Sequence, residues 1–234
     1  MKEIETHPYV DLIGLKQQLE LSDAEIALNQ FQPGGIWFPD TRIIMCGTFP
    51  PKREYFERTG YAHYSSPHNQ FWKHSEAVFN GDFYINSRVA ANTEARIANA
   101  HKKVAFAREM QIGFVDLYTK ISRRIPNSSA DKDLEPQETI FRNGTIKRLL
   151  ESGIQRFVFV YSLCRDRFFE ELMELGIVPQ QRIAYRTERG LLALWTASVM
   201  GREIQLVYSP IHGKNPWIEK QAALKLATDI TMLG

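Results

Sequence analysis

The sequence predicts an α/β fold, a three-layer α/β/α sandwich around a central four-stranded, mainly parallel sheet. Four short apolar runs, residues 42–46, 112–117, 156–161 and 203–208, have the length and apolar content of buried strands. Helical patterns lie between them over residues 70–79, 93–110, 138–152 and 165–175, and a last one covers 216–232. Strands alternating with helices need crossover connections, which make neighbouring strands parallel and cover both faces of the sheet.

Taken in order, residues 10–30 read as helical, with Ser22-Asp23-Ala24-Glu25 as a cap, before the turn-rich Gln32-Pro33-Gly34-Gly35. Residues 1–40 are therefore expected to form an N-terminal helical appendage on the core. The first core strand, Arg42-Ile43-Ile44-Met45-Cys46, closes on Gly47-Thr48-Phe49-Pro50-Pro51. A buried strand ending in such a turn is where an open α/β sheet presents backbone N–H groups to a ligand, so the chemistry is expected at this strand's carboxyl end. Residues 191–199 are rich in strand formers, and Met200-Gly201-Arg202-Glu203 is expected to fold them back as a hairpin onto the last strand.

A chain of 234 residues fits one α/β domain, residues 1–234, with 44% hydrophobic and 24% charged residues in the globular range. No apolar run has the length of a membrane helix and the first residues lack a signal peptide's apolar stretch, so a soluble, cytoplasmic monomer is expected. A net charge of +2 permits nucleic-acid binding without requiring it. Two cysteines, Cys46 and Cys164, are too few for a disulfide framework or a metal site. The histidines lack ligand spacing, and no metal and no cofactor are expected. Glycine-rich dinucleotide and triphosphate motifs are absent, as is the Gly-x-Ser-x-Gly of serine hydrolases.

Gly47-Thr48-Phe49-Pro50, Tyr64, Pro67-His68-Asn69 and Phe71-Trp72 follow one another in a pattern that resembles the uracil-DNA glycosylase superfamily. The match is nearest its mismatch-specific uracil/thymine and hypoxanthine branches, and His7-Pro8 near the start resembles one bacterial branch. An iron-sulfur cluster of the kind some relatives carry needs four thiolates, which this chain does not have. The resemblance implies a DNA partner and cleavage of the bond between base and sugar after the base is flipped from the stack.

In that frame Tyr64 stacks on the extruded base, though it also reads as one aromatic in a loop with Tyr55, Phe56 and Tyr61. Asn69 is the candidate catalytic residue, its amide orienting water, because Phe49 stands where many relatives carry a water-positioning Asp or Asn. An amide orients a nucleophile but scarcely deprotonates it, and the bland reading of Asn69 is a helix N-cap. Backbone N–H groups near Thr48 and Phe49, in the turn Gly47 to Pro50, would stabilise developing charge on the base.

The last strand runs into Ser209-Pro210-Ile211-His212-Gly213-Lys214, where the superfamily carries its second motif. There Ser209 matches the motif serine, and Ile211 is the wedge that fills the vacated base position. Pro210, Gly213 and Lys214 would line the DNA. His212 is a second candidate catalytic residue or an ordinary loop histidine. Arg124, Ser128 and Ser129 resemble a phosphate-gripping loop of mismatch glycosylases, or form a solvated turn. No lysine matches a nucleophile position, so the expected activity is monofunctional and leaves an abasic site. The alternatives are a noncatalytic nucleobase- or DNA-binding member of the same fold, or an unrelated α/β enzyme acting on nucleosides.

Overall fold

Every residue of Ile43–Gly47 is buried, so this strand needs cover on both faces of its sheet. The computed structural model describes residues 3–30, 34–49, 56–57, 60–64, 71–83, 92–125, 133–139, 145–187, 190–209, 224–225 and 228. In chain order they form β1 (Ile4–Thr6), a 3-10 turn (Pro8–Val10), α1 (Lys16–Leu19), α2 (Asp23–Asn29), β2 (Gly35–Ile36) and β3 (Ile43–Gly47). Next come α3 (Phe71–Phe79), α4 (Thr93–Glu109), β4 (Ile112–Asp116), β5 (Tyr118–Arg123), β6 (Leu134–Thr139) and α5 (Thr145–Glu151). The described elements end with β7 (Arg156–Phe159), α6 (Ser162–Glu174), β8 (Gln180–Thr187), β9 (Gly190–Val199) and β10 (Arg202–Tyr208).

The main sheet corrects the four-stranded expectation. Among the described residues it has seven strands in the order β2-β4-β3-β7-β10-β9-β8. Its middle, β4-β3-β7-β10, is parallel throughout, and these are the four apolar runs legible in the sequence. The additional strands β2, β9 and β8 pair antiparallel at the edges. β9 folds back antiparallel on β10 through the Met200–Gly201 turn, as residues 191–199 predict, whereas the edge strands β2 and β8 are short or polar and lack the continuous apolar run of a strand buried on both faces. A second, three-stranded antiparallel sheet, β1-β5-β6, was not foreseen.

Alternate residues of β3 enter different cores, as the two-residue period of a strand requires. Ile43 and Met45 pack with Phe71 and Trp72 of α3 and Ala100, Val104 and Ala107 of α4. Ile44 and Cys46 pack with Leu149 and Leu150 of α5 and Cys164, Phe168 and Leu172 of α6. The α6 residues recur every four positions, the spacing of one helix face.

Two predicted helices are corrected. The 10–30 pattern is interrupted, because Glu20 takes the left-handed conformation (φ 53°) and ends α1. Ser22 then starts α2 with a capping box, its side chain accepting from the Glu25 N–H while Glu25 reaches back to the Ser22 N–H. Residues 4–36 also supply β1 and β2, and Tyr9, Leu12, Leu19 and Ile26 join the first core. The 138–152 pattern splits, since residues through Thr139 belong to β6 and, among the described residues, the helix covers Thr145–Glu151. Pairing with β5 outweighs helical propensity over that stretch. The predicted helix 216–232 falls almost wholly outside the described residues.

β3 is followed by α3 and α4 on one face before the chain enters β4 on one side. β7 is followed by α6 on the other face, and β10 lies on its other side. Connections diverging from adjacent strands open a crevice at their carboxyl ends, the ordinary ligand position in such sheets.

Candidate functional site

At the carboxyl ends of the parallel strands stand Gly47 on β3 and its register partner Asp116 on β4, with Ser209 just past β10. Asp116 closes an apolar strand and is 3% exposed. A buried carboxylate is costly without partners. His7 Nε2 hydrogen-bonds Oδ2 at 3.0 Å, and His63 Nε2 stands 3.6 Å from the same oxygen, too far for a normal hydrogen bond.

His7 reaches this position because β1 pairs with β5, which starts two residues after Asp116, and because the His7 N–H donates to the Thr119 carbonyl. Its ring also caps the 3-10 turn, with Nδ1 accepting the Tyr9 backbone N–H at 3.0 Å. An Nδ1 that accepts carries no proton, so the proton is assigned to Nε2, which donates to Asp116. The Phe49 ring stands edge-on over His7 at 5.5 Å between centroids.

His63 belongs to a short segment with unusual backbone. Gly60, Tyr61 and Tyr64 all have positive φ, 108°, 60° and 57°. For tyrosine that costs on the order of 1–3 kcal/mol, which surrounding contacts must offset. The Tyr9 hydroxyl donates to the Tyr61 carbonyl, the Trp72 indole N–H donates to the His63 carbonyl, and the Phe56 carbonyl accepts from the Gly60 and Tyr61 N–H groups. The His63 ring stacks on Phe114 at 5.4 Å, and neither ring nitrogen has a hydrogen bond of normal geometry among the described residues. Burial pushes its pKa down to about 4, against the opposing pull of Asp116. His63 is thus a neutral, buried ring beside a carboxylate, with no hydrogen bond of normal geometry at either nitrogen.

Tyr64 presents its hydroxyl to the same point. A Cβ built on Gly47 would lie 2.1 Å from Asp116 Oδ1 and 2.7 Å from the Tyr64 hydroxyl. Both groups therefore converge on the bare face of the turn. Burial, reinforced by the Asp116 charge, raises the Tyr64 pKa well above its ordinary value, so the hydroxyl keeps its proton. The carbonyls of the turn are anchored: Gly47 O accepts from Leu117 N and from the Cys164 thiol, and Thr48 O accepts from Tyr118 N. Ser209 is fully buried, its N–H donates to the Phe159 carbonyl, and its hydroxyl has no partner among the described residues.

Of the residues singled out from sequence, Gly47, Thr48, Phe49, Tyr64 and Ser209 lie at this end of the sheet. Arg124 does not, for it follows β5, an exposed side chain 3.9 Å from Glu135 and roughly 20 Å of strand beyond Tyr118. Asn69, His212, Pro50, Pro210, Ile211, Gly213, Lys214, Ser128 and Ser129 lie outside the described residues. Three polar residues at the centre of the site, His7, His63 and Asp116, were not chosen from sequence. Their signals were slight: a His-Pro pair, one histidine of several in a loop, and an acid closing an apolar run.

His7, His63 and Asp116 bring their ligand atoms within 4.8 Å of one another, the spacing of a metal site. The hydrogen bonding does not fit an ion at His7. Metal-bound imidazoles donate their second N–H outward, whereas His7 Nδ1 receives an N–H from Tyr9. Binding an ion through Nε2 would require that bond to break.

No family model matches the chain, and no curated protein matches it. Among solved structures it is similar to a provisionally named uracil DNA glycosylase from Methanosarcina acetivorans, determined by solution NMR. Identity is 18% over 62% of this chain and 77% of that one, with a TM-score of 0.41. A likeness at that level leaves function to the site itself. Among the described residues no helix is long and apolar enough to cross a membrane.

Proposed function

We propose that the chain is a monofunctional DNA glycosylase that hydrolyses the N-glycosidic bond of a deaminated or mismatched base, uracil-like or hypoxanthine-like, and leaves an abasic site. The supporting observation is the convergence of Asp116, Tyr64 and the bare face of Gly47 at the carboxyl ends of β3 and β4. The residues of the turn and Tyr64 also carry the sequence pattern of the uracil-DNA glycosylase superfamily.

In this reading the flipped base lies against Tyr64, and backbone N–H groups of the Gly47–Phe49 turn stabilise the charge that the departing base acquires. Asn69 orients the attacking water, and the segment from Ser209 to Lys214 enters the groove, with Ile211 filling the vacated position and His212 contacting base or phosphate. Hydrolysis without a covalent amine intermediate releases free base and stops at the abasic site.

The test uses purified protein and end-labelled oligonucleotides carrying uracil, hypoxanthine, xanthine or thymine, single-stranded and opposite each normal base, followed by alkali. Alkali-dependent cleavage at one modified base, lost in Asn69→Ala, is the expected result. Saturable DNA binding without base release would instead favour a noncatalytic binding module. Turnover of free nucleosides with no salt-sensitive DNA affinity would favour a nucleoside enzyme.

A further inference from the structure

We propose that Asp116 is the general base of this site, accepting the proton of the hydrolytic water, and that His7 is the positioning residue that holds its carboxylate. The assignment rests on the glycosylase reading above. It answers a deficit in the first turn, where Phe49 has no group that could take a proton and where an amide such as Asn69 can orient water but not deprotonate it.

Three observations support Asp116. It is at the right end of the sheet, level with Gly47 in the β3–β4 register. Its Oδ2 is fixed by His7 Nε2–H, whose ring is itself fixed by the Tyr9 N–H on the opposite nitrogen, so the carboxylate is held from the end of a two-bond chain. Its Oδ1 sits against Gly47, 2.1 Å from where a Cβ would stand, with the Tyr64 hydroxyl 2.7 Å from the same point. Such a relay, carboxylate oriented by an imidazole whose tautomer is set by backbone, is preorganised to act without rearrangement.

His63 completes the arrangement. Buried polar atoms without well-formed hydrogen bonds are uncommon and costly, and among the described residues neither ring nitrogen of His63 has one of normal geometry, only longer approaches to Asp116 and to the Gly34 backbone. At 3.6 Å from Oδ2, its Nε2 can share one water with Asp116, the water lying off the line between them. In the reaction the water oxygen bonds to the anomeric carbon as the bond from that carbon to the base breaks. The bonding pair leaves with the base, and the water proton passes to Asp116, which returns it to the departing base or to solvent.

The decisive experiment is single-turnover cleavage of the best oligonucleotide by wild type, Asp116→Asn, Asp116→Ala with and without added formate, His7→Ala and His7→Gln. Substrate affinity and unfolding are measured for each variant, and wild type is also assayed after exhaustive chelation. Asp116→Asn should lose about 10²- to 10⁴-fold in rate, the usual worth of general base catalysis, with affinity within a few-fold of wild type. Formate should restore part of the Asp116→Ala rate, which a purely structural role would not allow. His7→Ala should lower the rate at unchanged affinity, and His7→Gln, which can still donate to Asp116, should recover part of it.

A folded Asp116→Asn with near wild-type rate overturns the assignment and leaves the glycosylase intact. Loss of wild-type activity on chelation, restored by a divalent cation, overturns it in favour of a metal at the same residues. Absence of cleavage by wild type on every base overturns both the assignment and the activity beneath it.

Discussion

Gly47→Ala adds one methyl group at the point where the site converges. Gly47 is an ordinary strand residue, so the backbone tolerates alanine and the effect isolates space. The new Cβ would stand 2.1 Å from Asp116 Oδ1 and 2.7 Å from the Tyr64 hydroxyl. To reach van der Waals separation the carboxylate must retreat by about 1 Å or more. A free side chain would do so cheaply, but this one is held at 3.0 Å by His7, and Tyr64 is a rigid ring packed at 5.1 Å on Phe71. Overpacking of this kind costs about 1–3 kcal/mol. Displacing a reacting group by about 1 Å costs on the order of 100-fold in rate. Urea unfolding reads the first quantity, and, on the proposed glycosylase activity, single-turnover cleavage of the preferred oligonucleotide reads the second. Adding Tyr64→Phe removes the hydroxyl from the clash and should recover part of the stability but not the rate, since Asp116 remains displaced. A Gly47→Ala protein that unfolds within about 0.5 kcal/mol of wild type would refute the reasoning, because it would mean that Asp116 is not held.

Further outcomes follow from the same structure. Burial holds His63 near pKa 4 in the folded chain against 6.5 when unfolded, so between those values the unfolded chain binds a proton that the folded chain does not. Stability should therefore be intact above about pH 6.5 and fall as pH drops toward 4, by about 1.4 kcal/mol per unit at most, with a shallower slope in His63→Gln measured by urea titration at stepped pH. Glu25 is pushed upward by burial but held below its ordinary 4.5 by Arg108 and by the Ser22 N–H and hydroxyl, so its contribution is present above pH 4.5 and lost below; Glu25→Gln should flatten that acid limb. Ser22→Ala removes the cap of α2 and should cost about 1 kcal/mol in thermal or urea unfolding. Met200 is 70% exposed and has φ 52° ahead of Gly201 in the β9–β10 turn, so Met200→Asn should stabilise the protein by about 0.5–1 kcal/mol.

What was legible from sequence and what was not divide along a physical line. Ile43–Gly47, Arg156–Phe159 and their parallel neighbours are continuous apolar runs because both of their faces are buried, and that condition is written locally. The same is true of the Ser22 capping box and of the Met200-Gly201 turn. β1, β2 and β6 are short or polar edge pieces, and their state depends on a partner strand that local propensity does not reveal. The helix expected over residues 138–152 failed at its start for that reason, since Leu134–Thr139 finds β5 before it can coil.

The site divides in the same way. The glycine turn and Ser209 were visible because each closes a strand that the sequence announces, and Tyr64 through the spacing of residues 47–72 that resembles the superfamily pattern. His7, His63 and Asp116 were not, although all three letters are plain. His7 and Asp116 are separated by 109 positions, and they touch only because β1 adds to β5 in one register and β5 begins just after β4 ends. By itself the sequence determined the parallel centre of the sheet and the glycine turn that closes its first strand, since hydrophobic period and turn chemistry act over a few residues. Tertiary structure alone decided which acid and which imidazoles share that end of the sheet, because strand pairing, unlike strand formation, is a choice among distant partners.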